Sequence, residues 1–301
     1  MIKLKLLNNN YDTMSSLYPK IGAHLSTAGD LTQTPLRAHD AGCECFQFFS
    51  RSPQGGPAKP LTTEIINEFK NNCQKFNLES YVHAPYYINL ASSDNRIYYN
   101  SIKVIREELD RVSPLGVKSL MAHLGSAKDL KPQSALKKII DGLVLILKDY
   151  QGETEFLIEI SAGAGAVVGD SFEEIASIIN STKLKKYPIG ICFDTAHAFA
   201  SGYDLRDQKT VKETFADFDR QIELKKLKLI HANDSLAPFN SHKDRHAHIG
   251  AGEIGLAGFS ALVKIAQKLK INMILETPHH DHQDPALLKD IKTLKKLRTA
   301  K

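Results

Sequence analysis

Residues 189–194 read Ile-Gly-Ile-Cys-Phe-Asp, a short apolar run that ends in a carboxylate. An apolar run of this length is typical of a fully buried strand. From residue 21 onward the chain alternates runs of this kind with longer amphipathic stretches. The strand candidates are 20–25, 44–49, 79–83, 118–123, 155–160, 189–194, 227–232 and 271–276. This alternation predicts repeated βα units arranged on a parallel sheet.

Helical patterns lie between the strand candidates. Pro132 suits the first turn of its helix, where a missing N–H costs nothing, and Ser171 with Glu174 resembles a capping box. The helix candidates include 62–76, 92–112, 132–150, 171–180 and 208–223. No glycine-rich dinucleotide fingerprint follows the first strand, so the eight alternating units favour a closed barrel over an open doubly wound sheet. The predicted fold is therefore a single α/β domain, a (β/α)8 TIM barrel.

The length and composition of the chain bound its domain organisation. The 301 residues, 42% of them apolar, can bury one large core, and barrels of this type use about 250 residues as a single domain. Residues 1–18 hold an asparagine run and no sustained apolar period. We therefore predict a loose N-terminal tail at residues 1–18 and a barrel domain at residues 19–301.

Charge, cysteine content and hydropathy restrict the compartment and the partner. The longest apolar runs fall far short of the roughly 18 residues of a spanning helix, and no signal-type apolar region follows the N-terminal lysines. We expect a cytoplasmic protein that does not bind membranes. The four cysteines show no zinc-ribbon or thioredoxin spacing, so we expect them to be reduced and structural. The net charge of +5 fits a polyanionic partner without identifying one.

Polar side chains stand where six successive strand candidates end. These residues are His83, His123, Glu159, Asp194, His231 and Glu276. In a TIM barrel all strands direct their carboxyl ends at one mouth, so these side chains are expected to meet there. One such residue alone is more often a hydrogen-bonded structural group. Three carboxylates and three histidines together would be costly to bury unless cations lay among them. The pattern predicts a site for divalent metal ions.

Two further pairs extend this cluster. Asp194 and His197 lie in Asp-Thr-Ala-His, where the chain leaves its strand, and Asp244 and His246 lie in Asp-Arg-His. Residues two apart in an extended segment project to the same side, so the second pair is able to chelate one ion. Imidazole and carboxylate ligands without cysteine suit zinc, with manganese or iron as alternatives. His24 ends the first strand and is expected to support the site through a hydrogen bond.

Six strings of the sequence stand out beside these residues. They are Ile-Gly-Ala-His-Leu-Ser (21–26), His-Ala-Pro-Tyr-Tyr-Ile-Asn-Leu (83–90), Phe-Asp-Thr-Ala-His-Ala-Phe-Ala-Ser-Gly-Tyr-Asp-Leu-Arg (193–206), His-Ala-Asn-Asp-Ser (231–235), Asp-Arg-His-Ala-His-Ile-Gly (244–250) and Ile-Leu-Glu-Thr-Pro (274–278). The strings resemble the endonuclease IV family of apurinic/apyrimidinic (AP) endonucleases. The resemblance runs from about residue 21 to the last helix, and the segment 194–206 is highly specific.

The resemblance implies a trinuclear zinc site, with manganese or iron as substitutes, and a monomeric DNA-repair enzyme of base excision repair. The three implied ligand sets are His83, His123 and Glu159; Glu159, Asp194, His231 and Glu276; and His197, Asp244 and His246. The implied reaction is hydrolysis of the phosphodiester on the 5′ side of an abasic site in duplex DNA, which leaves a 3′-hydroxyl and a 5′-deoxyribose phosphate. Glu159 would orient or deprotonate the attacking water, with Glu276 as the alternative catalytic residue.

The DNA-binding loops that the resemblance implies are less regular. Tyr86 and Tyr87 occupy the loop that would wedge the duplex open, although tyrosines often serve only to fill space. If the loop is extended, one tyrosine would pack while the other stacks on a base. Gln54 stands where family members usually have an arginine, and the nearby cations Arg51 and Lys59 are the alternatives for filling that gap, with Arg51 counted among the DNA-binding residues. The further departures from the family pattern are Ile160 and Ala251.

Two other functions fit part of this pattern. A sugar isomerase or epimerase of xylose-isomerase-like type shares the barrel and would use the second ligand set around one or two ions. It would not need His197, Asp244 and His246. A protein that binds damaged DNA without cutting it is the non-enzymatic alternative, because the loop at Gln54 is altered. A mere binder, however, has no use for a metal pair that activates water.

Overall fold

A computed structural model describes residues 18–300, and within them the chain closes a barrel. The strands are β1 Ile21–His24, β2 Cys45–Phe48, β3 Glu79–His83, β4 Ser119–Ala122, β5 Glu155–Glu159, β6 Ile189–Asp194, β7 Leu227–His231, β8 Asp234–Ser235, β9 His246–Ala247 and β10 Asn272–Leu275. Eight of them form the parallel barrel in the order β1-β10-β7-β6-β5-β4-β3-β2. The predicted TIM barrel and its eight strands are confirmed. The predicted loose tail lies, apart from residue 18, outside the described residues.

Helices alternate with the barrel strands along the chain. They are α1 Thr34–Asp40, α2 Thr63–Lys75, α3 Asn95–Val112, α4 Pro132–Leu147, α5 Phe172–Ile179, α6 Thr195–Ala200, α7 Gln208–Gln221, α8 Gly255–Leu269 and α9 Pro285–Thr299. Pro132 is the first residue of α4, as predicted. Within the described residues, no helix combines the length and the apolar character that a membrane span requires.

Local capping explains where the predicted helix boundaries differ from the observed ones. The pattern from residue 92 begins as a helix only at Asn95, because the Asp94 carboxylate accepts hydrogen bonds from the first free N–H groups of α3. The predicted capping box of α5 is half formed. The Ser171 hydroxyl accepts the N–H of Glu174, but the Glu174 carboxylate accepts the N–H of Gly169.

The barrel interior is filled by one side chain from each of seven strands. This inner layer consists of Cys45, Tyr81, Met121, Leu157, Cys192, Leu229 and Ile274. Because side chains alternate along a strand, the residue two positions later also points inward, one layer nearer the carboxyl ends. Those positions hold Gln47, His83, His123, Glu159, Asp194, His231 and Glu276. We call this second set the ligand layer. The apolar core between strands and helices supports both layers from outside.

Candidate metal centre

Glu159 lies at the centre of the ligand layer and is fully buried. Its Oε2 is 2.8 Å from Nε2 of His83 and 3.7 Å from Nε2 of His123. Its Oε1 is 3.0 Å from Nδ1 of His231. Burial opposes ionisation of Glu159, but His123, His231 and His83 hold the pKa of this carboxyl well below its usual value. Glu159 is thus an anion surrounded by imidazoles.

Asp194 and Glu276 complete a second group around the same glutamate. Ligand atoms of Glu159, Asp194, His231 and Glu276 all lie within 4.8 Å of one another. Nδ1 of His231 is 3.3 Å from Oε2 of Glu276 and 3.8 Å from Oδ2 of Asp194. Burial opposes ionisation of Glu276 as well, yet His231 and His24 hold its pKa well below the usual value. Three carboxylates therefore converge on one imidazole nitrogen.

A third group forms where β6 passes directly into α6. The Asp194 carboxylate caps α6 by accepting the N–H of His197 at 2.9 Å, which fixes the histidine over the mouth of the barrel. Nε2 of His197 is then 3.3 Å from Oδ1 of Asp244 and 3.4 Å from Nε2 of His246. Against burial, Asp194 and Asp244 raise the pKa of His197 to about 10. Burial opposes the ionisation of Asp244, but His197 lowers the pKa of that carboxyl to about 2.

Each of the five histidines has one ring nitrogen held from outside the cluster. The outer contacts are His83 Nδ1 to the Ala84 carbonyl at 2.6 Å, His197 Nδ1 to the Ile160 carbonyl at 3.0 Å, His246 Nδ1 to the Glu276 carbonyl at 3.1 Å, His231 Nε2 to the Gln47 amide oxygen at 2.7 Å, and His123 Nδ1 to the Ser161 hydroxyl at 3.3 Å. A carbonyl or amide oxygen only accepts, so in at least four cases the outer nitrogen donates and the other nitrogen faces the cluster. Metal-binding histidines show this arrangement, and the donor set fits divalent ions.

A buried aspartate that sequence reasoning missed holds the loop of Asp244 and His246. Asp234 is fully buried, and its carboxylate accepts backbone N–H groups of the segment 250–255 and of Ser235. The β8 and β9 strands pair Ser235 with His246. The hydrogen bonds of Asp234, which we call the Asp234 tether, therefore also set the position of the His246 imidazole over the barrel. The string His-Ala-Asn-Asp-Ser carried this residue, but an aspartate beside a strand end reads equally well as a surface turn.

A second missed residue is Gln47 in β2. Its amide contacts His231, Glu276 and His24. The predicted supporting contact of His24 therefore passes through Gln47, while Nδ1 of His24 lies 3.6 Å from Oε1 of Glu276. A polar residue at an inward position of the run Cys-Phe-Gln-Phe was the sequence signal that pointed to Gln47.

The residues predicted to bind DNA lie around the mouth in different environments. Tyr86 is 71% exposed, whereas Tyr87 is half-buried and packs against the core. Gln54 is exposed on the loop after β2. The Arg51 side chain is nearly buried, and its guanidinium donates to Oε1 of Glu108 at 2.6 Å and to Glu107 at 3.3 Å. The charge of Arg51 is thus already compensated by α3.

All nine predicted metal ligands lie at this mouth, beside an open cavity of about 630 Å³. The cavity lining includes His83, His123, His197, Asp244, His246 and Glu276. Tyr86 and Phe49 form part of its wall, and their rings meet edge to face at 5.1 Å. The cavity thus joins the exposed aromatic ring to the metal-ligand candidates.

Comparison with known proteins shows the family to which this chain belongs. The family described as "Xylose isomerase-like TIM barrel" matches residues 35–297. A "Probable endonuclease 4" of Nitrosopumilus maritimus is 37% identical over 268 residues, 88% of this chain and 95% of the relative. One of Aquifex aeolicus is 38% identical over 272 residues, 89% and 94% of the two chains. The crystal structure of endonuclease IV from Thermus thermophilus superposes with a TM-score of 0.82 at 27% identity, covering 92% of this chain and 99% of that one. The chain therefore belongs to the endonuclease IV family.

Proposed function

We propose that this protein is a zinc-dependent AP endonuclease of base excision repair. It hydrolyses the phosphodiester 5′ to an abasic site in duplex DNA and leaves a 3′-hydroxyl and a 5′-deoxyribose phosphate. The observation that carries the proposal is the set of overlapping nitrogen and oxygen donor groups at the floor of an open cavity. The names of the relatives support an endonuclease.

The first two proposed ligand sets are groups whose ligand atoms converge, and the third joins His197 and His246 to Asp244, which both histidines contact. The three sets are His83, His123 and Glu159; Glu159, Asp194, His231 and Glu276; and His197, Asp244 and His246. When bound, divalent ions neutralise phosphate charge and make water acidic enough to serve as a nucleophile near neutral pH. Zinc suits a set of imidazoles and carboxylates without cysteine, and manganese or iron are the alternative ions.

The carboxylate that accepts the proton of the attacking water must reach that water. Glu159 is fully buried, and both of its oxygens contact histidines. The Glu276 side chain is 17% exposed and lines the cavity, with Oε1 bound by Gln47. The sequence favoured Glu159 for this role, but access now favours Glu276. We assign this role to the Glu276 carboxylate, which also belongs to the second ligand set, while Glu159 is a ligand of the first two sets.

Recognition of the lesion requires the abasic nucleotide to leave the helical stack. A missing base makes this extrusion cheaper, which gives part of the selectivity. Tyr86 is exposed at the cavity rim and is placed to stack on the bases beside the lesion, whereas Tyr87 supports the loop by packing. Arg51 is paired with Glu108 and stabilises the loop after β2 more than it attracts phosphate.

A sugar epimerase remains the second candidate by fold alone. A D-tagatose 3-epimerase-like protein superposes with a TM-score of 0.67 at 19% identity, a similarity that extends to the barrel only. An epimerase would use the group of Glu159 and His231 but would leave His197, Asp244 and His246 without a role. The third donor group therefore favours the nuclease, and a binder without catalysis would need none of the groups.

The decisive experiment is a single-turnover assay on a duplex with one tetrahydrofuran abasic analogue. This analogue has no aldehyde, so a lyase cannot cleave it by β-elimination and any incision is hydrolytic. We expect incision 5′ to the analogue, a 3′ end that a DNA polymerase extends, and on the order of three zinc ions per chain. The intact duplex and Asp194→Asn are the controls. Wild-type protein that is loaded with metal and leaves the analogue uncut would refute the proposal. A preparation that is fully active with one ion or none would refute it as well.

A further inference from the structure

Gln47 is the member of the ligand layer that the metal assignment leaves without a role. It is fully buried on β2 and follows Cys45 of the inner layer just as His231 follows Leu229. A buried amide is costly unless its polar atoms find partners. Both polar atoms of Gln47 do find partners, and two of those partners are metal-ligand candidates.

The contacts of Gln47 fix the orientation of its amide. Its Oε1 lies 2.7 Å from Nε2 of His231. Its Nε2 donates to Oε1 of Glu276 at 2.6 Å and lies 2.8 Å from Nδ1 of His24. The reversed amide would set its oxygen against the Glu276 carboxylate, two acceptors face to face. The hydrogen-bond network therefore selects the observed orientation.

This orientation determines which nitrogen of His231 carries the proton. The amide oxygen only accepts, so Nε2 of His231 must be the N–H donor. In the neutral imidazole the lone pair then lies on Nδ1, which faces Oε1 of Glu159 at 3.0 Å and Oε2 of Glu276 at 3.3 Å. The same amide binds Oε1 of Glu276 and so holds the rotation of that carboxylate.

We propose that Gln47 is a positioning residue of the metal centre. It fixes the tautomer of His231 and the rotation of the Glu276 carboxylate, so that Nδ1 and Oε2 present their lone pairs to the ion shared with Glu159 and Asp194. This inference rests on the proposed function in one respect, namely that an ion binds this group. Outer partners of this kind typically change metal affinity by about 10- to 100-fold.

Gln47→Met tests the proposal because it keeps the length of the side chain and removes both hydrogen-bonding functions. Gln47→Asn is the second variant, since it keeps a buried amide and shortens its reach by one methylene. Tyr81→Phe is the matched control. Tyr81 is in register with Gln47 on β3, and its hydroxyl accepts a hydrogen bond from Asn272 at 2.9 Å within the same barrel interior. That control removes one buried hydrogen bond without touching a ligand candidate.

Zinc retention is measured by dialysing each holoprotein against graded chelator and counting bound zinc. Histidine-selective ¹⁵N NMR reports the tautomer of His231, and thermal unfolding reports folding. We expect Gln47→Met to release one ion at a chelator concentration roughly 10- to 100-fold lower than wild type or Tyr81→Phe. We also expect its His231 signals to show mixed tautomers, with a smaller effect in Gln47→Asn.

The outcomes separate this inference from the proposed function. Suppose that wild type binds zinc and cuts DNA. The positioning role alone would then be overturned if both Gln47 variants release zinc as Tyr81→Phe does and His231 stays protonated on Nε2 in all of them. A wild-type protein that binds no zinc would overturn the metal centre and this inference together.

Discussion

The hydrogen bonds of the buried Asp234 carboxylate lead to a prediction for the free energy of unfolding. Asp234→Ala leaves five backbone N–H groups without their acceptor: those of Ser235, Gly250, Gly252, Ile254 and Gly255. An orphaned buried donor costs about 1–3 kcal/mol. Three of the contacts are short, at 2.8–2.9 Å, and water reaches the exposed Gly250. The expected loss in free energy of unfolding is therefore about 3–5 kcal/mol, or roughly 5–8 °C in Tm for a chain of 301 residues.

Chemical denaturation and amide hydrogen exchange together test this estimate. Asp207→Ala is the matched control, because Asp207 caps α7 through two N–H groups at an exposed helix end. Loss of such a cap costs about 0.5–2 kcal/mol. Exchange should accelerate over residues 246–255 in Asp234→Ala, and the ion held with His246 should be lost first. If Asp234→Ala is no less stable than Asp207→Ala, the buried carboxylate does not hold the loop and the reasoning fails.

Three further predictions concern the site. The pKa of His197 is raised from 6.5 to about 10, so protonated His197 adds its full contribution to the free energy of unfolding below pH 6.5 and loses it as the pH rises towards 10. The Tm of protein treated with chelator should therefore fall between pH 6.5 and 10. A flat profile of Tm against pH would contradict this prediction. Tyr86→Ala should weaken binding of abasic duplex by roughly 5- to 150-fold and leave binding of intact duplex nearly unchanged, whereas Tyr87→Ala should mainly lower Tm. Equal losses of affinity for both duplexes in Tyr86→Ala would refute the stacking role of Tyr86. Glu159→Gln and Glu276→Gln should each reduce single-turnover incision by several orders of magnitude, with greater zinc loss in Glu159→Gln; a near-wild-type rate in either would reject its role.

The positions of the strand-end ligand candidates could be predicted from the sequence because they follow from local pattern. An apolar run that ends in a histidine or a carboxylate locates the end of a strand, and parallel strands bring those ends to one mouth. His83 and Asp194 are examples that depend on nothing beyond their own strands. The pairing of Asp244 with His246 was also readable, since residues two apart share a side of an extended segment.

Contacts between residues far apart in the sequence could not be predicted in the same way. Arg51 was expected at the DNA surface, yet its charge is taken up by Glu107 and Glu108, more than fifty residues later on α3. The tether from Asp234 to the segment 250–255 likewise depends on how a loop folds back. Neither partner choice follows from spacing or periodicity, because a charged residue pairs with whatever the tertiary fold brings near it.

The charge balance of the candidate metal centre links its protonation to the binding of the proposed ions. Burial lowers the pKa of His123, whereas nearby carboxylates raise the pKa of His83 and His197 against burial. The positive charge that these shifts favour on His83 and His197 compensates the buried carboxylates around Glu159. The proposed ions would require the deprotonated imidazoles, so zinc binding is expected to release protons and to weaken as pH falls. Protons and the proposed ions would thus compete for the same nitrogen atoms.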